Sequence, residues 1–158
     1  MSPLPDSRPW SLDADWQDRV SGRSCAFCAT AGAQIHGVKV ADLRVSQWLL
    51  GRNQYVSGYS ILILKFHAVE LFALSLQDRQ DFVEDIAQAS RALYTVCAPI
   101  KLNIEMQGNV IPHLHCHIKP RYASDRPGHA RIFQDQEVRF LQEEDYKAFV
   151  TRLREALP

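Results

Sequence analysis

Neither sign of charge is in excess: 18 Lys and Arg balance 18 Asp and Glu, a formal net charge of zero. Wrapping a nucleic-acid polymer needs a broad basic surface. Polybasic docking on a membrane needs a cluster of cations. The balance argues against both, and leaves room for a small anionic ligand in one local pocket. A long apolar run is missing too. The longest aliphatic stretch is Ile61-Leu62-Ile63-Leu64, where a membrane span needs about 20 residues. The N-terminus, with prolines at positions 3, 5 and 9, lacks the apolar segment of a secretory signal. Internal repeats and low-complexity tracts are absent. Cysteine is scarce, four in 158 residues, and Cys25-Ala26-Phe27-Cys28 is a C-x-x-C pair. In an intracellular chain such a pair is more often metal or redox chemistry than a staple. These absences predict a cytoplasmic protein.

The length and the 46% hydrophobic, 23% charged composition predict one globular domain over residues 1–158, with 1–24 as an N-terminal extension docked by Trp10 and Trp16. Residues 38–50 read as two strands: Val38 and Val40 alternate with Lys39, and after a break at Ala41-Asp42 the alternation of Leu43–Ser46 runs on into the apolar Trp48-Leu49-Leu50. Gly51-Arg52-Asn53-Gln54 reads as a turn. Tyr59–Lys65 is nearly all apolar, so it reads as a central strand covered on both faces. Ser75 with Asp78 three residues on is a helix start. Phe82, Ile86, Ala89 and Leu93 continue it at helical spacing with Val83 alongside, and Pro99 ends it. Two more strands follow, Lys101–Met106 and Ile111–Lys119, the second closed by Pro120. A last helix spans Glu143–Leu157, with Tyr146, Phe149, Val150 and Leu153 on one face. The order predicts an α+β fold: a mostly antiparallel sheet with a long helix and a C-terminal helix packed on it.

The chemistry concentrates in His113-Leu114-His115-Cys116-His117-Ile118, which holds three of the six histidines. On a strand the three imidazoles share one face, roughly 6.5–7 Å apart, and Leu114, Cys116 and Ile118 face the core. Gly108-Asn109-Val110-Ile111-Pro112 precedes the run and Pro120-Arg121-Tyr122 follows it. Here the chain resembles the histidine triad (HIT) family of nucleotide hydrolases and transferases, whose motif is His-φ-His-φ-His-φ-φ after a Gly-Gln or Gly-Asn turn. The wording is most similar to the bacterial branch described as diadenosine tetraphosphate hydrolases. Gly58-Tyr59-Ser60-Ile61-Leu62-Ile63-Leu64-Lys65-Phe66-His67 resembles a second family segment, Gly-His-x-Leu-Val-Ile-Pro-Lys-x-His. Tyr59, Leu64 and Lys119 depart from the pattern.

The resemblance implies hydrolysis of a dinucleoside polyphosphate or related nucleotide conjugate at the α-phosphate. His115 would be the nucleophile, forming a nucleotidyl-histidine that water resolves. Its other ring nitrogen would donate to a backbone carbonyl or a similar acceptor, fixing the tautomer. His117 and Asn109 would hydrogen-bond the phosphate oxygens. Val110 stands where several members carry Ser or Thr, which fits a polyphosphate leaving group better than an amine. The resemblance also implies structural zinc on Cys25, Cys28, His67 and His113, a homodimer, and no organic cofactor. Asn53 lies where the family contacts the ribose, with a plain turn role as the alternative. Leu43, Val45 or Leu50 would line the base pocket, with a plain core role as the alternative. Lys65, Lys119 and Arg121 are candidates for a distal phosphate, with simple solvation as the alternative. A transferase or phosphorylase using the same residues, and a non-catalytic nucleotide-binding module, are the competing functions.

Overall fold

The computed structural model describes residues 14–29, 36–125 and 138–158. A short helix, α1 (Ala14–Val20), comes first. Strands β1 (Gly37–Asp42), β2 (Ser46–Gly51) and β3 (Ser60–Leu64) follow, then a turn of 3-10 helix at Leu71–Ala73. The long helix α2 (Leu76–Cys97) leads to β4 (Lys101–Glu105), β5 (His115–Arg121) and α3 (Glu143–Glu155). The five strands form one sheet in the order β1-β2-β3-β5-β4, and each neighbouring pair is antiparallel. The fold is α+β, as its element order predicts. No described helix is long and apolar enough to cross a membrane. Trp16 is half-buried in α1, and Trp10 lies outside the described residues.

Alternation along the strands sorts side chains to the two faces of the sheet. Trp48, Leu50, Leu62, Leu64, Cys116 and Ile118 meet the helices, packing with Phe82, Ile86, Leu93, Tyr146, Val150 and Leu153. The other face carries a smaller cluster of Leu49, Tyr55, Val56, Tyr59, Ile61 and Ile63. β3 is buried along its whole length, and its four residues after Ser60 are apolar on both faces. Helix α2 starts as its sequence predicts: the Ser75 hydroxyl accepts from Asp78 N–H at 3.1 Å and donates to the Asp78 carboxylate at 2.6 Å. It stops at Ala98, whose φ of 46° is left-handed, ahead of Pro99. Val83 does not join the buried face of α2 and is exposed.

Several predicted boundaries differ from the structure; the last helix, for one, ends at Glu155 rather than Leu157. Leu43–Val45 is a turn, and β2 begins only at Ser46. The cause is Asp85 on α2, fully buried, whose carboxylate accepts from the N–H groups of Arg44 (2.9 Å), Val45 (3.0 Å) and Ser46 (2.9 Å) and from the Ser46 hydroxyl (2.7 Å). A buried carboxylate requires such donors, and supplying them bends this segment out of strand geometry. The fourth predicted strand ends at Glu105, one residue short of Met106. The last strand begins at His115 rather than Ile111 and runs through Pro120 to Arg121. Residues 111–114 are looped, tied by His113 N–H to Ile111 O at 2.8 Å and Leu114 N–H to Ala68 O at 2.6 Å. β3 pairs with β5 only as far as Ile118, so Pro120 lies where β5 has β4 alone beside it. A proline fits at such an edge.

Candidate functional site

The β3–β5 register sets Ile63 opposite His115 and Ile61 opposite His117. Both imidazoles therefore stand on the face away from the long helices, with ring centroids 4.8 Å apart. Nδ1 of His115 lies 2.5 Å from the carbonyl oxygen of His113. A carbonyl only accepts, so Nδ1 carries the proton and Nε2 carries the lone pair. Burial, with His36 nearby, holds the His115 pKa below its ordinary value. Burial does the same to His117 more strongly, and His115, Lys119 and His36 add to it, taking the pKa down to about 3. Both rings are neutral at pH 7, and a neutral imidazole with a free Nε2 lone pair is a nucleophile.

His113 lies before the strand and belongs to a second group. Its ring is buried, with Nδ1 3.3 Å from Cys25 Sγ and 3.5 Å from Cys28 Sγ. His67 Nδ1 is 3.3 Å from Cys28 Sγ. The ligand atoms of Cys25, Cys28, His67 and His113 all lie within 4.8 Å of one another. Ligands about 2.3 Å (sulfur) and 2.0–2.1 Å (nitrogen) from a tetrahedral zinc sit about 3.6 Å apart, close to these spacings. The far sides of the rings agree: His113 Nε2 donates to Leu64 O and His67 Nε2 to Val20 O, each at 2.8 Å. Both Nδ1 atoms are thereby left as lone-pair donors aimed into the cluster, the second-shell arrangement of metal-binding histidines. Desolvation and the neighbouring Cys25 thiol push Cys28 up to about 11, a cost that a bound cation would remove by holding the thiolates. Gly22 admits this packing. Its φ is +85°, and a side chain there would meet the His67 ring at 3.3 Å. The residues fit a structural zinc, which would fix the loop carrying His113 and supply no chemistry to the substrate.

The remaining predicted positions scatter. Asn109 is exposed in the loop after β4, beside Val110 at 73% exposure. The Asn53 side-chain oxygen accepts from Arg139 N–H at 2.9 Å, anchoring the stretch that leads into α3. Lys65 Nζ donates to the carbonyls of Leu43 and Arg44, on the side of the turn capped by Asp85. Lys119, two residues past His117 on the same face, pairs with Glu105 at 2.8 Å. Arg121 pairs with Asp125 at 2.6 Å. Leu43, Val45 and Leu50 do not form the base pocket expected of them, since all three belong to the helix-side core. The apolar side chains that do share the histidine face are Leu49, Ile61 and Ile63.

Three residues beside the histidines are not assigned a role by the sequence. Phe27, between the two cysteines, packs edge-on against His36, His113 and His115 with centroids 5.1, 5.6 and 5.1 Å apart. His36 leads into β1. No local pattern marks it, because its place in the site is set by chain packing alone. Tyr59 hydrogen-bonds His117, and its only sequence signal is that tyrosine stands where the family-like segment has histidine.

Residues 34–124 match the model of the HIT domain. Protein hit of Bacillus subtilis is 26% identical over 104 residues, covering 63% of this chain and 72% of that one. A Schizosaccharomyces pombe protein named adenosine 5'-monophosphoramidase is 26% identical over 102 residues, 62% and 74% of the two chains. Among solved structures, a histidine triad protein of Bradyrhizobium japonicum superposes with a TM-score of 0.72 at 24% identity, covering 80% of this chain and 94% of that one. A zinc-bound histidine triad protein of Mycobacterium smegmatis does so with a TM-score of 0.61 at 20% identity, covering 85% and 93%. With that match across most of the sheet and both histidine groups, the chain belongs to the HIT domain family.

Proposed function

We propose that the chain is a nucleotide hydrolase acting at the α-phosphate through His115. The observation that carries this reading is the 2.5 Å bond from His115 Nδ1 to the His113 carbonyl, which leaves Nε2 as the nucleophilic atom. Nε2 attacks the α-phosphorus, an N–P bond forms, and the bridging P–O bond breaks with its electron pair leaving on the polyphosphate. Water then attacks the same phosphorus, the N–P bond breaks, and the nucleoside monophosphate departs. His117 and Asn109 hydrogen-bond the phosphate oxygens in both steps. Lys119, already beside His117, is the nearest candidate cation for a distal phosphate, with Glu105 its resting partner.

The substrate class is a dinucleoside polyphosphate such as diadenosine tetraphosphate. Val110 has no hydroxyl to protonate an amine leaving group, and a polyphosphate needs little proton assistance. The name of the S. pombe relative favours a second reading, a nucleoside phosphoramidate as substrate. Parallel assays of both compounds with wild type and His115→Asn decide. Wild type should prefer the polyphosphate and the variant should be inactive on both; a preference for the phosphoramidate reverses the substrate reading, and an active variant removes His115 from the mechanism. The same account includes bound structural zinc, measurable as metal content, and a cytoplasmic homodimer. The outer strand β4 offers the dimer an edge with Ile100 and Ile104 exposed, and sedimentation tests it.

A further inference from the structure

Two imidazoles two residues apart face different partners. His115 Nδ1 meets a carbonyl, which can only accept. His117 Nδ1 meets the hydroxyl of Tyr59 at 2.8 Å, which can donate. We propose that Tyr59 is a positioning residue: its hydroxyl donates to His117 Nδ1 and holds that ring in the tautomer whose Nε2–H is free for the substrate phosphate. This rests on the hydrolase reading for its role in turnover, and on geometry alone for the tautomer.

The direction of the bond follows from the groups. His117 is neutral, so one ring nitrogen has a proton and the other a lone pair. A phenol is a good donor and a poor acceptor, because its lone pair is delocalised into the ring, and an imidazole nitrogen is a strong acceptor. O–H to N is therefore the favoured pairing, and it places the His117 proton on Nε2. His115 and His117 then hold opposite tautomers, one offering a lone pair and the other a proton donor to the same phosphate.

The tyrosine is built into its place. It is 1% exposed, and its ring stacks on His117 at 5.9 Å between centroids with 12° between planes. Tyr55 backs it at 4.9 Å. A side chain at Gly51 would come within 2.5 Å of the Tyr59 ring, so glycine there leaves the space the ring fills. The Tyr59 carbonyl accepts from Gly51 N–H and from Gln54 Nε2, each at 2.9 Å. Gln54 also accepts from Gly58 N–H at 2.8 Å, and Gly58 takes a φ of +83° to turn the chain into β3.

The test is Tyr59→Phe, which keeps the ring and removes the hydroxyl, with Tyr59→His as the variant that restores a donor. Long-range proton–nitrogen spectra of the protein as purified should show His117 as the Nε2–H tautomer and His115 as the Nδ1–H tautomer. In Tyr59→Phe the His117 tautomer should become mixed and kcat should fall about tenfold or more, with KM changed less. Tyr59→His should recover part of the loss. A wild-type His117 protonated on Nδ1 overturns the proposal, as does a Tyr59→Phe protein with wild-type kcat and an unchanged tautomer. The spectra need no turnover. A protein that cleaves no nucleotide would thus defeat the hydrolase reading while the His117 signals still judge Tyr59.

Discussion

His113 and His115 are two residues apart and serve different structures. The cluster around His113 draws ligands from the turn at Cys25–Cys28 and the loop at His67, with Cys25 and His113 separated by 88 positions in the chain. The pair His115–His117 comes from consecutive same-face positions of β5. One backbone group joins the two regions, the His113 carbonyl that accepts from His115 Nδ1. The side chain of His113 is thus held beside the Cys25 and Cys28 sulfurs while its carbonyl selects the tautomer of His115. A stable loop on one side of that residue is a condition for correct proton placement on the other.

The largest effect expected is from His115→Ala, a fall in turnover of at least about 10³-fold with zinc content and melting temperature nearly unchanged. Loss of zinc in that variant would show that the two regions are one. Cys28→Ser should act in the opposite sense, lowering metal content and thermal stability first. Its kcat should drop about 10-fold through the displaced His113 carbonyl, and full activity in a metal-free protein would separate the regions completely. The smallest effect is in pH dependence. His117 takes up a proton near 6.5 when unfolded and near 3 when folded, so below pH 6.5 the unfolded chain binds more protons. Its contribution to stability is fully present above pH 6.5 and is lost as pH falls toward 3. Thermal melts at pH 7 and pH 5 should show that loss, and His117→Gln should flatten it; equal slopes for the two proteins would place the titration elsewhere.

What was legible in the sequence follows the same division between local and distant contacts. Period-two alternation in β5 puts His115 and His117 on one face, and helical spacing with the Ser75 start gives α2. The cluster is legible only through family resemblance, because nothing local connects Cys25 to His113. The second predicted strand forms but starts late, at Ser46 rather than Leu43, because Asp85, some 40 positions on, ties those N–H groups into a turn. Leu43, Val45 and Leu50 take the core role rather than that of a base pocket. The turn shifts where β2 begins, and Leu50 lies among the helix-side residues while Leu49 shares the histidine face. Position in a segment alone points to Lys65 and Asn53, and their side chains are held by carbonyls and by Arg139 N–H that spacing does not reveal. Phe27 and His36 reach the histidines by packing alone.

The central claim is a covalent bond from a substrate phosphorus to His115 Nε2. Reactions with diadenosine tetraphosphate, quenched in alkaline denaturant where an N–P bond survives, can be digested and mapped by mass spectrometry. The account predicts one nucleoside monophosphate on the peptide carrying His115, appearing before free nucleoside monophosphate and absent in His115→Asn. An adduct on another residue, or steady product release with no adduct at any time, would contradict it.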